Sequence, residues 1–256
     1  MNQVRQSFNR AASSYDVVGT LQHQVVISLT ASIKTKLPAS FDGYLLDAGC
    51  GTGNCLSQLV TSYSAAKFIA VDFAERMLKQ LPTDLNALGL NANLENLPVA
   101  TGQIDAYISS LAWQWCDPAL AAKEASRVLI PQGEIFVATL VNGTFQELAN
   151  CLQACGLNPD QHLLPCASSS QIQSALESTG IKILEMASTR ITIWHEDFRA
   201  LRHSIRGVGA NHLPNHKKSS LNRTTRKHLL EAYEGLRTQR GLPLSYEVLT
   251  IYARKR

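Results

Sequence analysis

This 256-residue sequence predicts a doubly wound α/β fold, a mostly parallel sheet with helices on both faces. Two observations point there. Short apolar runs alternate with helix-like stretches over the first half of the chain, which is the signature of strands buried between helices. One of those runs, YLLDA (44–48), flows directly into a glycine-rich turn.

Element by element, residues 4–36 read as helical with a break near Ser13–Gly19, and Pro38 marks the end. YLLDA is the first strand, followed by a helix from about Asn54 to Tyr63. KFIAVD (67–72) is the second strand and ERMLKQL the next helix. NALGLNA (86–92) is a third strand and IDAYISS (104–110) a fourth. DPALAAKEASRVL (117–129) is an amphipathic helix, with Asp117 at its N-cap and Pro118 at the first helical position. GEIFVATL (133–140) is the fifth strand.

Beyond it, 144–155 and 170–178 read as helices and IKILEMASTRITIW (181–194) as a strand. Residues 196–240 are helical with a break near Gly207–Asn215, and SYEVLTIYARK (245–255) alternates as a last strand should. The expected organisation is one domain. It has an N-terminal helical cap (1–38), a core (40–195), a basic helical insertion acting as a lid (196–241) and a last strand (242–256).

Composition excludes several classes. The chain is 45% hydrophobic and 17% charged, ordinary for a globular protein. No run of about 18 apolar residues occurs, so no membrane span is expected. The start lacks a signal-type apolar core, so the cytoplasm is the expected compartment. Six cysteines form no CxxC pair and are expected reduced, mostly as core residues. No metal site is expected from Cys151 and Cys155, nor from His212 and His216, where Pro214 intervenes. Charge is uneven. Residues 197–240 hold ten Lys or Arg against three acids, a net +7, leaving −3 elsewhere. That bias suits an anionic partner or a solvated helical face.

The strongest local signal is LLDAGCGTGN (45–54). Glycines after a strand allow a tight turn and close backbone approach to a ligand. An acid about twenty residues on, Asp72, suits two ribose hydroxyls. A dinucleotide fingerprint would place its third glycine one residue later than Gly53. Asp47, just before the loop, would repel a pyrophosphate and suits an ammonium.

This stretch resembles motif I of the class I methyltransferases, and RVLIPQGEIFVAT (127–139) is similar to the segment that follows the site in that family. The resemblance implies S-adenosylmethionine as cofactor on a Rossmann-like fold with a seven-stranded sheet and an antiparallel last strand. It implies cofactor contacts from Asp47, Gly49, Cys50, Gly51, Gly53, Asp72, Phe73, Asn93, Leu94 and Ser109. Asn93 stands where many members carry Asp, and its carbonyl oxygen can still accept from an adenine amino group.

Four further segments, FNRAASSYD (8–16), LAWQWC (111–116), LRHSIRGVGA (201–210) and LPLSYEVL (242–249), resemble the malonyl-acyl-carrier-protein O-methyltransferases of biotin synthesis, the BioC family. The resemblance runs nearly end to end. It implies methylation of the free carboxylate of malonyl-acyl carrier protein. A carboxylate is already ionised at neutral pH, so transfer needs orientation and water exclusion, not a base. Arg202 and Arg206 are candidates to orient it, because a guanidinium matches a carboxylate in shape. Tyr15 resembles the aromatic that closes over the cofactor, and Gln114 and Trp115 follow strand four near the transferred methyl. Cys116 is expected to pack.

Lys217, Lys218, Arg223, Arg226 and Lys227 are expected to meet the acidic carrier protein. A methyltransferase of another small carboxylate, phenol or quinone precursor stays open, as does an RNA methyltransferase. Tyr233 is the one aromatic besides Phe198 in the basic stretch, which argues against a nucleic-acid partner. The sequence sets no oligomeric state, and a monomer is the default expectation.

Overall fold

The computed structural model describes residues 2–13, 15–207 and 222–256, the side chains of Asn2, Val17, Val18 and Arg206 excepted. The chain begins with α1 (Asn2–Ala11), α2 (Tyr15–Val18) and α3 (Thr20–Lys36). It then alternates β1 (Tyr44–Ala48), α4 (Asn54–Leu59), β2 (Lys67–Asp72), α5 (Glu75–Leu78), β3 (Ala87–Asn91), β4 (Ile104–Ser110), α6 (Pro118–Val128) and β5 (Leu129–Leu140). Then come α7 (Gln146–Ala154), α8 (Ser169–Ser178), β6 (Ile181–His195), α9 (Phe198–Gly207), α10 (Arg223–Glu234) and β7 (Leu242–Lys255).

The seven strands form one sheet in the order β3-β2-β1-β4-β5-β7-β6. β1 to β5 run parallel, and β7 lies antiparallel to both β5 and β6. This is the expected architecture, including the antiparallel last strand. Strand order reverses at β1, whose neighbours are β2 and β4, and a crevice opens there beyond the carboxyl ends.

Strand pleating splits the core into two layers. On one face Leu45, Ala70, Ile108 and Phe136 pack with Leu29 and Ile33 of α3 and Leu56 of α4. On the other, Leu46, Val71, Tyr107 and Val137 pack with Ala122 and Ala125 of α6 and Leu176 of α8. A third cluster (Val4, Phe8, Ala12, Ala74, Met77) seats the N-terminal helix on the crevice rim.

Some boundaries depart from expectation. β5 begins at Leu129, four residues early, because Leu129 pairs with Ile104 ahead of a register shift, with Gln132 at φ 64°. α4 stops at Leu59 rather than Tyr63, whose ring is buried against Phe41 with centroids 6.0 Å apart. The helix expected over ERMLKQL is a single turn, α5, with Pro82 soon after. α6 is as expected: the Asp117 side chain accepts from Ala119 N at 2.8 Å, with Pro118 next. No described helix is long and apolar enough to cross a membrane.

Candidate active site

The site begins where β1 ends. Gly49, Gly51 and Gly53 have φ of 80°, 55° and 87°, the left-handed region that favours glycine. They serve different purposes. A Cβ on Gly49 would lie 2.3 Å from Ala112 Cβ, so the loop must pass close to the 111–112 turn. A Cβ on Gly53 would lie 2.6 Å from Leu81 Cδ2, a packing constraint behind the loop. Gly51 faces open space, with Tyr15 Cε1 its one near neighbour at 3.7 Å. The amides of Gly49 and Cys50 both donate to the Val71 carbonyl, at 2.8 and 2.9 Å, and tie the loop to the end of β2.

Two buried acids stand beneath this loop. Asp72 accepts from Gly51 N at 3.0 Å and from Ala74 N at 2.8 Å. Burial pushes its pKa up to about 6, against the pull of those two amides. Asp47 is 1% exposed, and its Oδ1 has no hydrogen-bond partner among the described residues. Burial first, then the charge of Asp72, pushes its pKa up to about 7. A lone buried carboxylate oxygen is costly and calls for a cationic or hydrogen-donating ligand.

Above the loop lies a cavity of about 560 Å³. Its walls include Gly49, Gly51, Asp72, Phe73, Asn93 and Leu94, all expected from the sequence. Trp115, Tyr15 and Phe8 close it from the cap side, with the Phe8 and Trp115 rings edge-on at 5.5 Å. Asn93 Oδ1 accepts from Glu95 N at 3.1 Å and its Nδ2 donates to Glu95 Oε2 at 3.0 Å, so the side chain is held in a local turn. One lone pair of that carbonyl is still free to accept.

Other expected residues fall elsewhere. Ser109 is fully buried and donates to the Ala48 carbonyl at 2.7 Å, clasping β4 to β1. Strand alternation turns its neighbour Ser110 to the cavity instead. Asp47, Cys50 and Gly53 lie outside the cavity wall, the first behind the loop and the other two supporting it.

A second cavity of about 430 Å³ adjoins the first and shares Phe8, Tyr15, Leu111 and Trp115 with it. Gln114 lies on its wall, with Nε2 donating to Leu111 O at 2.7 Å and Oε1 accepting from Thr139 Oγ1 at 3.1 Å. Leu21 and Gln22 of α3, Leu140, Phe145, Leu164, Ile205 of α9 and Tyr246 of β7 complete it, none of them expected. Tyr15 spans both cavities, its hydroxyl meeting Gln22. Burial, Asp72 and Asp16 together push that phenol's pKa up.

Arg202 lies half-buried on α9 outside both described walls. The side chain of Arg206, and all of Lys217, Lys218, His212 and His216, lie outside what the structure describes. Arg223, Arg226 and Lys227 are exposed on α10, whose Leu229 and Tyr233 face inward. Cys116 lines the first cavity, and burial, Glu95 and Asp117 push its thiol far up, so it stays neutral. Among the described residues no three His, Cys, Asp or Glu side chains converge as a metal site needs.

One missed residue ties the cap to the loop. Asp16 Oδ1 accepts from Thr52 Oγ1 at 2.8 Å and from Asn54 Nδ2 at 2.7 Å. The two polar residues inside GTGN, Thr52 and Asn54, were the available signal.

Residues 46–137 match the family described as "Methyltransferase domain". In solved structures the chain is similar to a putative methyltransferase from Bacillus halodurans, with TM-score 0.61 and 14% identity over 88% of this chain and 97% of that one. It is also similar to geranyl diphosphate C-methyltransferase from Streptomyces coelicolor A3(2), with TM-score 0.56 and 16% identity over 91% and 82%. These likenesses bear on the fold. Sequence likeness goes further. The malonyl-[acyl-carrier protein] O-methyltransferase of Herminiimonas arsenicoxydans is 34% identical over 97% of this chain and 94% of its own. That of Dechloromonas aromatica (strain RCB) is 36% identical over 98% and 94%. With its loop, its paired acids and an end-to-end likeness at that level, the chain belongs to the malonyl-[acyl-carrier protein] O-methyltransferase family.

Proposed function

We propose that the protein methylates the free carboxylate of malonyl-acyl carrier protein at the expense of S-adenosylmethionine, giving the methyl ester used in biotin synthesis. The observation that carries this reading is an acid-floored cavity opening onto an apolar one, in a chain related end to end to enzymes so named.

The first cavity fits the cofactor. Asp47, with its unpartnered oxygen, suits the ammonium group. The Gly49–Gly51 backbone, where a Cβ would intrude or narrow the cavity, suits the amino-acid part. Asp72 suits the ribose hydroxyls, with Asn93 and Leu94 at the adenine. Bound there, the cofactor supplies an electrophilic methyl on a sulfonium.

The chain's own work is positioning. Phe8, Tyr15 and Trp115 stand between the two cavities and keep water out. The acceptor carboxylate needs no base, its pKa being about 4. Arg202 and Arg206, on the helix that gives Ile205 to the second cavity, are the cationic candidates to guide it. Lys217, Lys218, Arg223, Arg226 and Lys227 are the proposed docking surface for the acidic carrier protein. The cap and the basic insertion act as the lid of a single domain, and the six cysteines, which form no disulfide, fit a cytoplasmic setting.

Intact-mass analysis of malonyl-acyl carrier protein with enzyme and S-adenosylmethionine tests the reading. We expect one added methyl on the carrier-bound acyl group, released as methanol on saponification, as a methyl ester requires. An added methyl that gives no methanol, or no added methyl with the cofactor bound, contradicts it.

A further inference from the structure

The described wall of the second cavity is uncharged. It carries no Lys, Arg, His, Asp or Glu, and besides the Trp115 indole four hydroxyl or amide side chains: Tyr15, Gln22, Gln114 and Tyr246. Tyr15 and Gln22 meet each other, and both ends of the Gln114 amide are occupied by Leu111 and Thr139. Tyr246 differs. It is 6% exposed on β7, with its ring held edge-on to Phe145 at 5.1 Å and its hydroxyl beside Ser204 of α9. Ser204 donates its single proton to the Leu201 carbonyl at 2.8 Å, and its oxygen lies 3.4 Å from His195 Nε2. The group that the Tyr246 hydroxyl meets is thus a neutral one.

We propose that the second cavity is a carboxylate pocket whose donor is the Tyr246 phenol, its ring set by Phe145, for the free carboxylate of the malonyl acceptor. The inference rests on the function proposed above. A hydrogen bond to an ionised acceptor is roughly twice as strong as one between neutral groups, so an arriving carboxylate is a stronger partner for the phenol's proton than the neutral Ser204. Burial keeps that phenol protonated and hence a donor. A neutral donor also suits the reaction. It orients the carboxylate without neutralising the charge that attacks. The apolar residues around it strip water from the nucleophile.

The test compares malonyl- and acetyl-acyl carrier protein, which differ by the carboxylate, for binding to the protein saturated with S-adenosylhomocysteine. For the wild type we expect malonyl to bind at least about tenfold more tightly. Tyr246→Phe keeps the ring and removes the hydroxyl, and we expect the preference to collapse while S-adenosylhomocysteine affinity, which reports a folded site, is unchanged. Ser204→Ala leaves the phenol in place and keeps the preference. A Tyr246→Phe protein that still prefers malonyl tenfold, or a Ser204→Ala protein that loses the preference, overturns this assignment and leaves the proposed function standing. A wild type that neither discriminates the two carriers nor methylates malonyl overturns both.

Discussion

The two cavities are neighbours built on opposite plans. The first rests on the fixed ends of β1 and β2, its wall carries the buried carboxylate of Asp72 with Asp47 behind the glycine loop, and its central residues are close in sequence. The second is assembled from Phe8, Gln22, Gln114, Phe145, Leu164, Ile205 and Tyr246, spread over almost the whole chain, and its described wall is neutral. The contrast teaches where each specificity resides. The cation-binding half is set by charge and backbone strain on a rigid sheet. The acceptor half is set by shape and by a few hydroxyls and amides contributed by the cap, α9 and β7.

Breaking the first half alone has the largest expected effect. Gly49→Ala adds a Cβ 2.3 Å from Ala112 Cβ at φ 80°, and we expect S-adenosylhomocysteine affinity to fall by at least about 100-fold. Gly102→Ala, also at positive φ but with nothing within 4 Å of the added carbon, is expected to leave affinity unchanged in the same calorimetric titration.

The paired acids sharpen the contrast through pH. Asp47 and Asp72 titrate near 7 and 6 in the free protein, above the unfolded value of about 4. The folded free protein therefore holds more protons than the unfolded chain between those values. Stability from these groups is present below pH about 4 and is lost as pH rises through 6 to 7. S-adenosylmethionine affinity runs the other way, rising as the carboxylates ionise. Calorimetric titrations and thermal melts from pH 5.5 to 8 check both slopes. Asp47→Asn is expected to flatten each.

How much of this was legible follows from locality. LLDAGCGTGN and Asp72 announced the first cavity because a glycine turn between a strand and a helix, with an acid after the next strand, is a local arrangement. Ser109 was misplaced by one residue: the strand was evident, but the phase of its pleat at the end was not, and Ser110 faces the cavity. The second cavity was illegible because its walls meet only through the tertiary fold. Phe145, at φ 62°, follows no local glycine pattern, and Tyr246 reads as one aromatic among alternating strand residues. Asp16 lay unremarked beside Tyr15, since its partners Thr52 and Asn54 are over thirty residues away.

The Asp16 contact is where the halves join, and its loss should be smaller than that of Gly49. It sits at an exposed position, so Asp16→Ala is expected to weaken S-adenosylhomocysteine binding about fivefold, on the scale of one charged hydrogen bond of roughly 1 kcal/mol. Asp16→Asn, which keeps an acceptor oxygen, should recover part of that loss. The smallest effect belongs to the outer surface. Reversing Arg226 and Lys227 to Glu is expected to raise KM for malonyl-acyl carrier protein about threefold at low salt, less at high salt, without changing turnover of a small malonyl thioester. Equal effects on both substrates would remove α10 from the docking surface.

The central claim is that one half supplies the methyl and the other selects a carrier-bound carboxylate. Its most direct test is a one-pot competition of malonyl-acyl carrier protein, malonyl-coenzyme A and free malonate for limiting S-adenosylmethionine, with each product read by mass. The account predicts that the methyl appears first and mostly on the carrier-bound malonyl group. Equal labelling of all three, or labelling of none while S-adenosylhomocysteine still binds, would contradict it.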